Sequence, residues 1–345
     1  MACRCCSGRP ACDTVSMSGF SSGVLLAPNH TAQVTVGMAR LAEDLGYDSV
    51  WVADEGVRTR DVFVTMTAIA TATRTLRIGT GLVNPYTRHP ALTAAAIASI
   101  DELSGGRAFL VYGAGGSLSL GPLGIERARP LAHVREALDV CRRLFDGETV
   151  TFAGETITLA NARLDYARPG IDIWFAGRSP LLLAHAGAAA DGALLEFLHI
   201  PTLGSYVEQV ESGARKAVRP RPRLLYSTCV VTDRERLESI RPHMTYRLVD
   251  SPDAVKAQLG ITPRHVAEIR EAMSGGLEAA AHLIPDRWIE PFVILGTPDE
   301  CADRITALTE AHGFEGFVLL LADHERATEE IEEGADVLDR VRRAR

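Results

Sequence analysis

The chain has 345 residues, 46% hydrophobic and 23% charged, with a formal net charge of −8. This composition supplies a large apolar core and excludes a disordered or fibrous chain. It builds no basic face for nucleic acid and no apolar run long enough to span a bilayer, and without a secretory apolar stretch near its start it reads as cytoplasmic.

Cys3, Cys5, Cys6 and Cys12 crowd the first dozen residues. Their spacing fits no zinc pattern and the first histidine is His30, so no metal site is expected. Residues 1–18 lack a periodic apolar face and are expected to form a disordered leader, with Met17 the better start. Cys141, Cys229 and Cys301 read as small buried hydrophobes.

From there apolar runs alternate with helical stretches. Gly23–Ala27 is followed by a helix over about Thr31–Leu45 with Gly46 as its stop signal. Ser49–Ala53 precedes a helix from Asp61 to about Thr73. Leu76–Val83 precedes a helix over Ala91–Leu103, stopped by Ser104–Gly105–Gly106, and Ala108–Tyr112 precedes one over Pro130–Phe145. Thr149–Leu159 reads as a small hairpin turning at Ala153–Gly154. Ile171–Ala176, Ala193–Phe197 and Arg223–Val231 continue the strands, with helices over Pro180–Ala189 and about Thr202–Val218. A mostly helical excursion then fills about 232–295. Thr297 N-caps a helix that Pro298 opens, and Phe317–Leu321 is the eighth strand, followed by a charged helix from about His324.

Eight strand-like runs alternating with helices predict a closed (β/α)8 TIM barrel, one domain over 19–345 with the excursion as an insertion. In a barrel of this kind ligands sit at the C-terminal ends of the strands. That rule selects Pro28–Asn29, Asp54–Glu55, Gly81–Asn84, Gly113–Ser117, Ala176–Ser179, Glu196–His199 and Leu321–His324.

Several of these ends have chemistry to offer. At Gly81 the backbone can approach a flat ring while Asn84 bonds its polar edge; the other reading of the same residues is an Asn-Pro turn. Gly113–Ala114–Gly115–Gly116 can turn N–H groups toward an anion, or form a plain loop. Gly177–Arg178–Ser179 before Pro180 places side-chain donors at a helix start, which suits phosphate. Asp54 and Glu55 point to opposite faces of their strand, so one can face the cavity while the other caps the next turn. Asp101–Glu102 lies at the opposite end of the barrel, and His89 beside a helix start; neither is given chemistry.

Five segments carry a resemblance: LAEDLGYDSVWVADE (41–55), IGTGLVNPYTRHPALTAAAIASIDELSGGRAFLVYGAGG (78–116), PLGIE (122–126), AGRSPLLLAHAGAAADGALLE (176–196) and LGTPDECADRI (295–305). They resemble the luciferase-like flavin- and deazaflavin-dependent oxidoreductases, and within these the coenzyme F420-dependent methylenetetrahydromethanopterin reductase branch. The resemblance implies a TIM barrel with insertion segments and coenzyme F420 as cofactor, with FMN the alternative. It implies a cis peptide at Gly81–Leu82 behind the ring, Asn84 at the ring edge, Asp54 on the cofactor, Ala114 and Gly115 as a backbone cradle extended by Gly116, and Gly177, Arg178 and Ser179 by the phosphate tail. It also implies a homo-oligomer, a dimer in related enzymes.

Two departures bear on the substrate. Related enzymes often carry histidine where this chain has Glu55, and an acidic residue where it has Gly116. Glu55 is therefore the expected proton donor, desolvated beside the ring. The chain is expected to move hydride between the deazaflavin and a small molecule with a C=C, C=N or carbonyl group. An FMN-dependent monooxygenase and a non-catalytic flavin-binding barrel are the rival readings.

Overall fold

The computed structural model describes residues 19–345; the four clustered cysteines of the expected leader lie outside them. Among the described residues there are twelve strands: β1 (Ser21–Leu26), β2 (Ser49–Val52), β3 (Arg77–Thr80), β4 (Ala108–Tyr112), β5 (Val150–Ala153), β6 (Thr158–Ala162), β7 (Ile173–Ala176), β8 (Gly192–Glu196), β9 (Arg223–Thr228), β10 (Val230–Val231), β11 (Ile294–Leu295) and β12 (Gly316–Leu320). Eight of them close a parallel barrel in the order β1-β12-β9-β8-β7-β4-β3-β2. This is the expected TIM barrel. No helix among the described residues is long and apolar enough to cross a membrane.

Three large rings fill the lower interior of the barrel. Trp51 lies edge-on to Phe109 at 4.8 Å and to Trp174 at 5.5 Å. Small residues on other strands make the room: a Cβ at Gly79 would lie 2.0 Å from the Phe109 ring, and one at Gly192 would lie 2.3 Å from Trp174. Below the rings, Asp172 bridges Arg77 (2.6 Å) and Arg223 (2.7 Å). The two guanidiniums stack under Phe109 and Trp174. Burial works against the Asp172 charge, but the two arginines outweigh it and hold its carboxyl below the usual range.

Three expected elements are cut differently. The third strand pairs only to Thr80 and touches the sheet again at Val83. The hairpin turns over 154–157, one step later than expected, because the Glu136 carboxylate accepts from the N–H groups of Glu155, Thr156 and Ile157. The long strand expected at Arg223–Val231 splits: β9 stays in the barrel, while β10 leaves it and pairs with β11. Between β10 and β11 the helical excursion buries a separate apolar cluster around Leu237, Ile240, Met244, Leu248, Trp288 and Ile289.

The helices Pro180–Ala189 and Leu203–Lys216 approach backbone to backbone. A Cβ at Gly187 would lie 1.9 Å from the Val210 carbonyl oxygen, and one at Gly213 would lie 1.8 Å from that of Ala184. Only hydrogen fits at either position, and the contact fixes where the helix that starts at Ser179 points. Gly213→Ala should push the pair apart and lower stability by about 1–3 kcal/mol, the usual cost of overpacking. A urea unfolding midpoint unchanged from wild type would contradict this contact.

Candidate active site

All the predicted site residues lie at the C-terminal end of the barrel. The Gly81–Leu82 peptide is cis, as the resemblance implies. Gly81 is pressed onto β2: its N–H bonds to the Val52 carbonyl at 2.6 Å, and an added Cβ would meet the Trp51 backbone at 3.0 Å. The Leu82 side chain crosses the end of β4, where a Cβ at Gly113 would be 2.5 Å from Leu82 Cδ1 and 3.0 Å from the Ala176 carbonyl oxygen. The floor of the mouth is therefore apolar and tight, made by Leu82 and Gly113 above the aromatic rings.

Asn84 is buried. Its Oδ1 accepts from Tyr86 N (3.0 Å), Thr87 N (3.1 Å) and Thr87 Oγ1 (3.3 Å). The Asn-Pro turn and the ring-edge reading are thus compatible, because the turn consumes the oxygen alone. Its Nδ2 makes no hydrogen bond among the described residues and is the donor left for a ligand. Gly115 adopts a left-handed backbone (φ +71°) and its carbonyl accepts from Arg127 at 3.1 Å. Gly116 precedes a four-residue helix, Ser117–Leu120.

Ser179 holds the N-cap position of the helix Pro180–Ala189, yet its hydroxyl makes no capping bond. Plain capping is therefore not its role. Arg178 lies 3.7 Å from Asp250, a loose pairing. Burial and neighbouring Arg247 both work against the charge on Arg178. A guanidinium, a free hydroxyl and an uncapped helix start converge there.

The carboxylate pair departs from expectation. Glu55 was expected to be desolvated; its side chain is 42% exposed and lies 3.8 Å from Arg58 in a short solvent-facing turn. The desolvated member is Asp54. Burial raises its carboxyl above the ordinary value, against the pull of the Gly56 N–H, which donates to Asp54 Oδ1 at 3.0 Å. Both residues lie beyond Val52, the last residue of β2, and the turn that opens at Gly56 leaves Asp54 the more buried and Glu55 the more exposed. Of the remaining rim residues, His199 turns away into packing on Phe292 (5.3 Å).

The luciferase-like monooxygenase family pattern matches residues 12–315. The chain belongs to this family. Relatives include 5,10-methylenetetrahydromethanopterin reductase of Methanolobus tindarius, 32% identical, covering 84% of this chain and 90% of that protein. The enzyme of the same name from Archaeoglobus fulgidus is 33% identical over 79% and 85% of the two chains. Among solved structures, the coenzyme F420-dependent tetrahydromethanopterin reductase of Methanopyrus kandleri superposes with a TM-score of 0.82 at 26% identity, covering 92% and 98%. The resemblance read from the motifs is thereby established for the family and the barrel.

Sequence reasoning missed the contribution of the excursion. The helix Leu237–Val249 turns its apolar residues Ile240, Met244 and Leu248 into its own cluster. His243, Tyr246, Arg247 and, just past its end, Asp250 fall on the adjoining side at helical spacing. That spacing was present in the sequence, but it marks only a polar face until the fold shows what the face covers.

Sequence reasoning also missed Glu330, which lies in the last helix yet ties down a strand end. Its carboxylate accepts from the N–H groups of Ala322 (2.7 Å) and Asp323 (3.1 Å), just beyond β12. Burial pushes its carboxyl up to about 7 despite those bonds. The folded protein therefore holds this proton more tightly than the unfolded chain. The resulting stabilisation is complete below about pH 4.5 and disappears as pH rises through about 7. Between pH 5 and 8, wild-type stability should carry a loss of about 2–3 kcal/mol from this group, and Glu330→Gln should remove most of that slope. Parallel urea titrations across this range, with equal slopes in both proteins, would refute it.

Proposed function

We propose that the chain is a coenzyme F420-dependent oxidoreductase acting on a small organic substrate, and that it works as a homo-oligomer. The observation that supports the reading is that the strand-end features the resemblance implies lie together: the Gly81–Leu82 cis peptide, the buried Asn84, the glycine-lined end of β4 and the uncapped Ser179 helix. When bound, the coenzyme supplies hydride chemistry at a flat ring.

These residues suit such a group. Leu82 and Gly113 form the apolar floor against which a ring would lie, with Asn84 Nδ2 and the 114–116 backbone at its edge. Arg178, Ser179 and the helix start would hold an anionic tail through charge-assisted hydrogen bonds. The tight floor would exclude water from one face of such a ring and leave the other for substrate. A proton must accompany hydride at a carbonyl or imine. Asp54, whose carboxyl burial raises above its ordinary value, is the better-placed donor; Glu55, paired with Arg58, would shape the entrance.

Coenzyme F420 should bind on titration, followed by its absorbance or by quenching of protein fluorescence. Ser179→Asp places a negative charge beside the tail and should weaken that binding by about 1–3 kcal/mol. Tight FMN binding with no affinity for the deazaflavin would replace this reading with the monooxygenase one. Once a substrate is identified, Asp54→Asn should lower turnover by about 10²–10⁴-fold, the usual yield of general acid catalysis. Glu55→Gln should change it by only a few-fold; the reverse pattern would return the role to Glu55.

A further inference from the structure

The floor of the mouth joins two strands, with Leu82 just beyond β3 and Gly113 just beyond β4. The backbone does not hold these strands together at that level. β3 keeps register with β2 from Arg77 to Thr80, and Gly81 N still donates to the Val52 carbonyl. Its pairing with β4 covers only Ile78 with Ala108 and Gly79 with Phe109, and returns at a single bridge, Val83 with Tyr112. Between Gly79 and Val83 the chain carries three residues, Thr80, Gly81 and Leu82, where β4 carries two, Leu110 and Val111. The extra residue makes a bulge and breaks the ladder where Leu82 must be placed.

A side chain fills the break. Val111 N donates to Thr80 Oγ1 at 2.8 Å, and Thr80 Oγ1 donates back to the Val111 carbonyl oxygen at 2.9 Å. One hydroxyl, able to donate and accept, stands in for the β3 peptide that the bulge removes from the ladder. The same Val111 carbonyl accepts from Val83 N at 3.1 Å, and the Val83 carbonyl accepts from Gly113 N at 2.9 Å. A single β4 residue therefore grips the bulge at both ends, through Thr80 before it and Val83 after it. Thr80 is fully buried, and a buried N–H stripped of its partner is costly. Branching at Cβ restricts χ1, so the hydroxyl is held ready for both bonds.

We propose that Thr80 is a positioning residue of this site: its hydroxyl clasps β3 to β4 across the bulge and so fixes Leu82 over Gly113, the surface against which the coenzyme ring would lie. That this surface serves a coenzyme rests on the reading above; the clasp itself does not. Thr80 has no exposed surface of its own, so it acts on a ligand only through Leu82 and the 81–83 backbone. Loss of the hydroxyl should loosen that segment and weaken binding of the ring, while the Arg178–Ser179 end stays as it is.

The test compares Thr80→Val, which keeps the shape and deletes both bonds, with Thr80→Ser, which keeps the hydroxyl. Two readouts are taken on the folded proteins: amide hydrogen exchange without ligand, and titration with coenzyme F420. In Thr80→Val the amides of Val83 and Gly113 should exchange at least about tenfold faster than in wild type, beyond any change shared by Val318 and Leu319 of β12. Coenzyme affinity should fall by about tenfold or more, the scale set by a buried N–H left unpaired. Thr80→Ser should keep both readouts within about threefold of wild type. If Thr80→Val fails to fold, Thr80→Cys replaces it, since a thiol of similar size donates and accepts only weakly. A merely structural threonine would lower the urea midpoint and leave coenzyme affinity at the wild-type value; that result would overturn the proposal. So would a serine variant as impaired as the valine one. Should wild type bind no coenzyme while Thr80→Val loosens Val83 and Gly113 and serine preserves them, the clasp stands and the coenzyme reading falls.

Discussion

Everything above the middle of this barrel depends on how its interior is filled. Trp51, Phe109 and Trp174 meet edge to face in one layer, and glycines at 79 and 192 give up their side chains to admit them. Asp172, shared between two arginines that stack on the same rings, closes the layer from below. Packing at that density leaves a ligand no depth to enter. Binding is confined to the strand ends, and the top of the aromatic layer becomes the surface on which Leu82 and Gly113 rest.

Two different kinds of chemistry meet on that surface. Along β3, β4 and β7 the chain offers close backbone, small residues and hydrogen-bond donors, which suit a flat group with an anionic tail. Along β1, β2 and β12 it offers imidazoles, a carboxylate and guanidiniums, many of them carried by the excursion. The first set is held by barrel strands and by the glycine-paired helices; the second is held by a separate apolar cluster and by Glu330. A fixed cofactor side and a separately built opposing wall form a division of labour suited to an oxidoreductase whose cofactor carries the reaction.

The fold was legible because period and punctuation agreed along the chain. Eight apolar runs, each followed by a helical stretch, leave few alternatives to a closed barrel. Motif resemblance marked the cis peptide at Gly81–Leu82 before the structure showed it. What escaped was set by tertiary neighbours. Glu55 and Asp54 are adjacent in sequence, and only the direction of the chain after β2 decides which is desolvated. The turn after β5 is placed by a carboxylate from an earlier helix, Glu136. Arg223–Val231 reads as one strand because no turn residue interrupts it, yet the last two residues pair outside the barrel.

The pairing of β10 with β11 has its own consequence. Val230–Val231 lie beside Ile294–Leu295, so the excursion departs and returns through a single two-residue seam. A segment closed at its base in this way adds little entropic cost as it lengthens or shortens. Its apolar core closes on the barrel at Phe197 and Ala322, just past β8 and β12. The wall it forms can thus be exchanged for another while barrel register and aromatic layer stay as they are. In evolutionary terms, a lineage could change substrates here by altering a single replaceable segment and keep its inherited hydride chemistry intact.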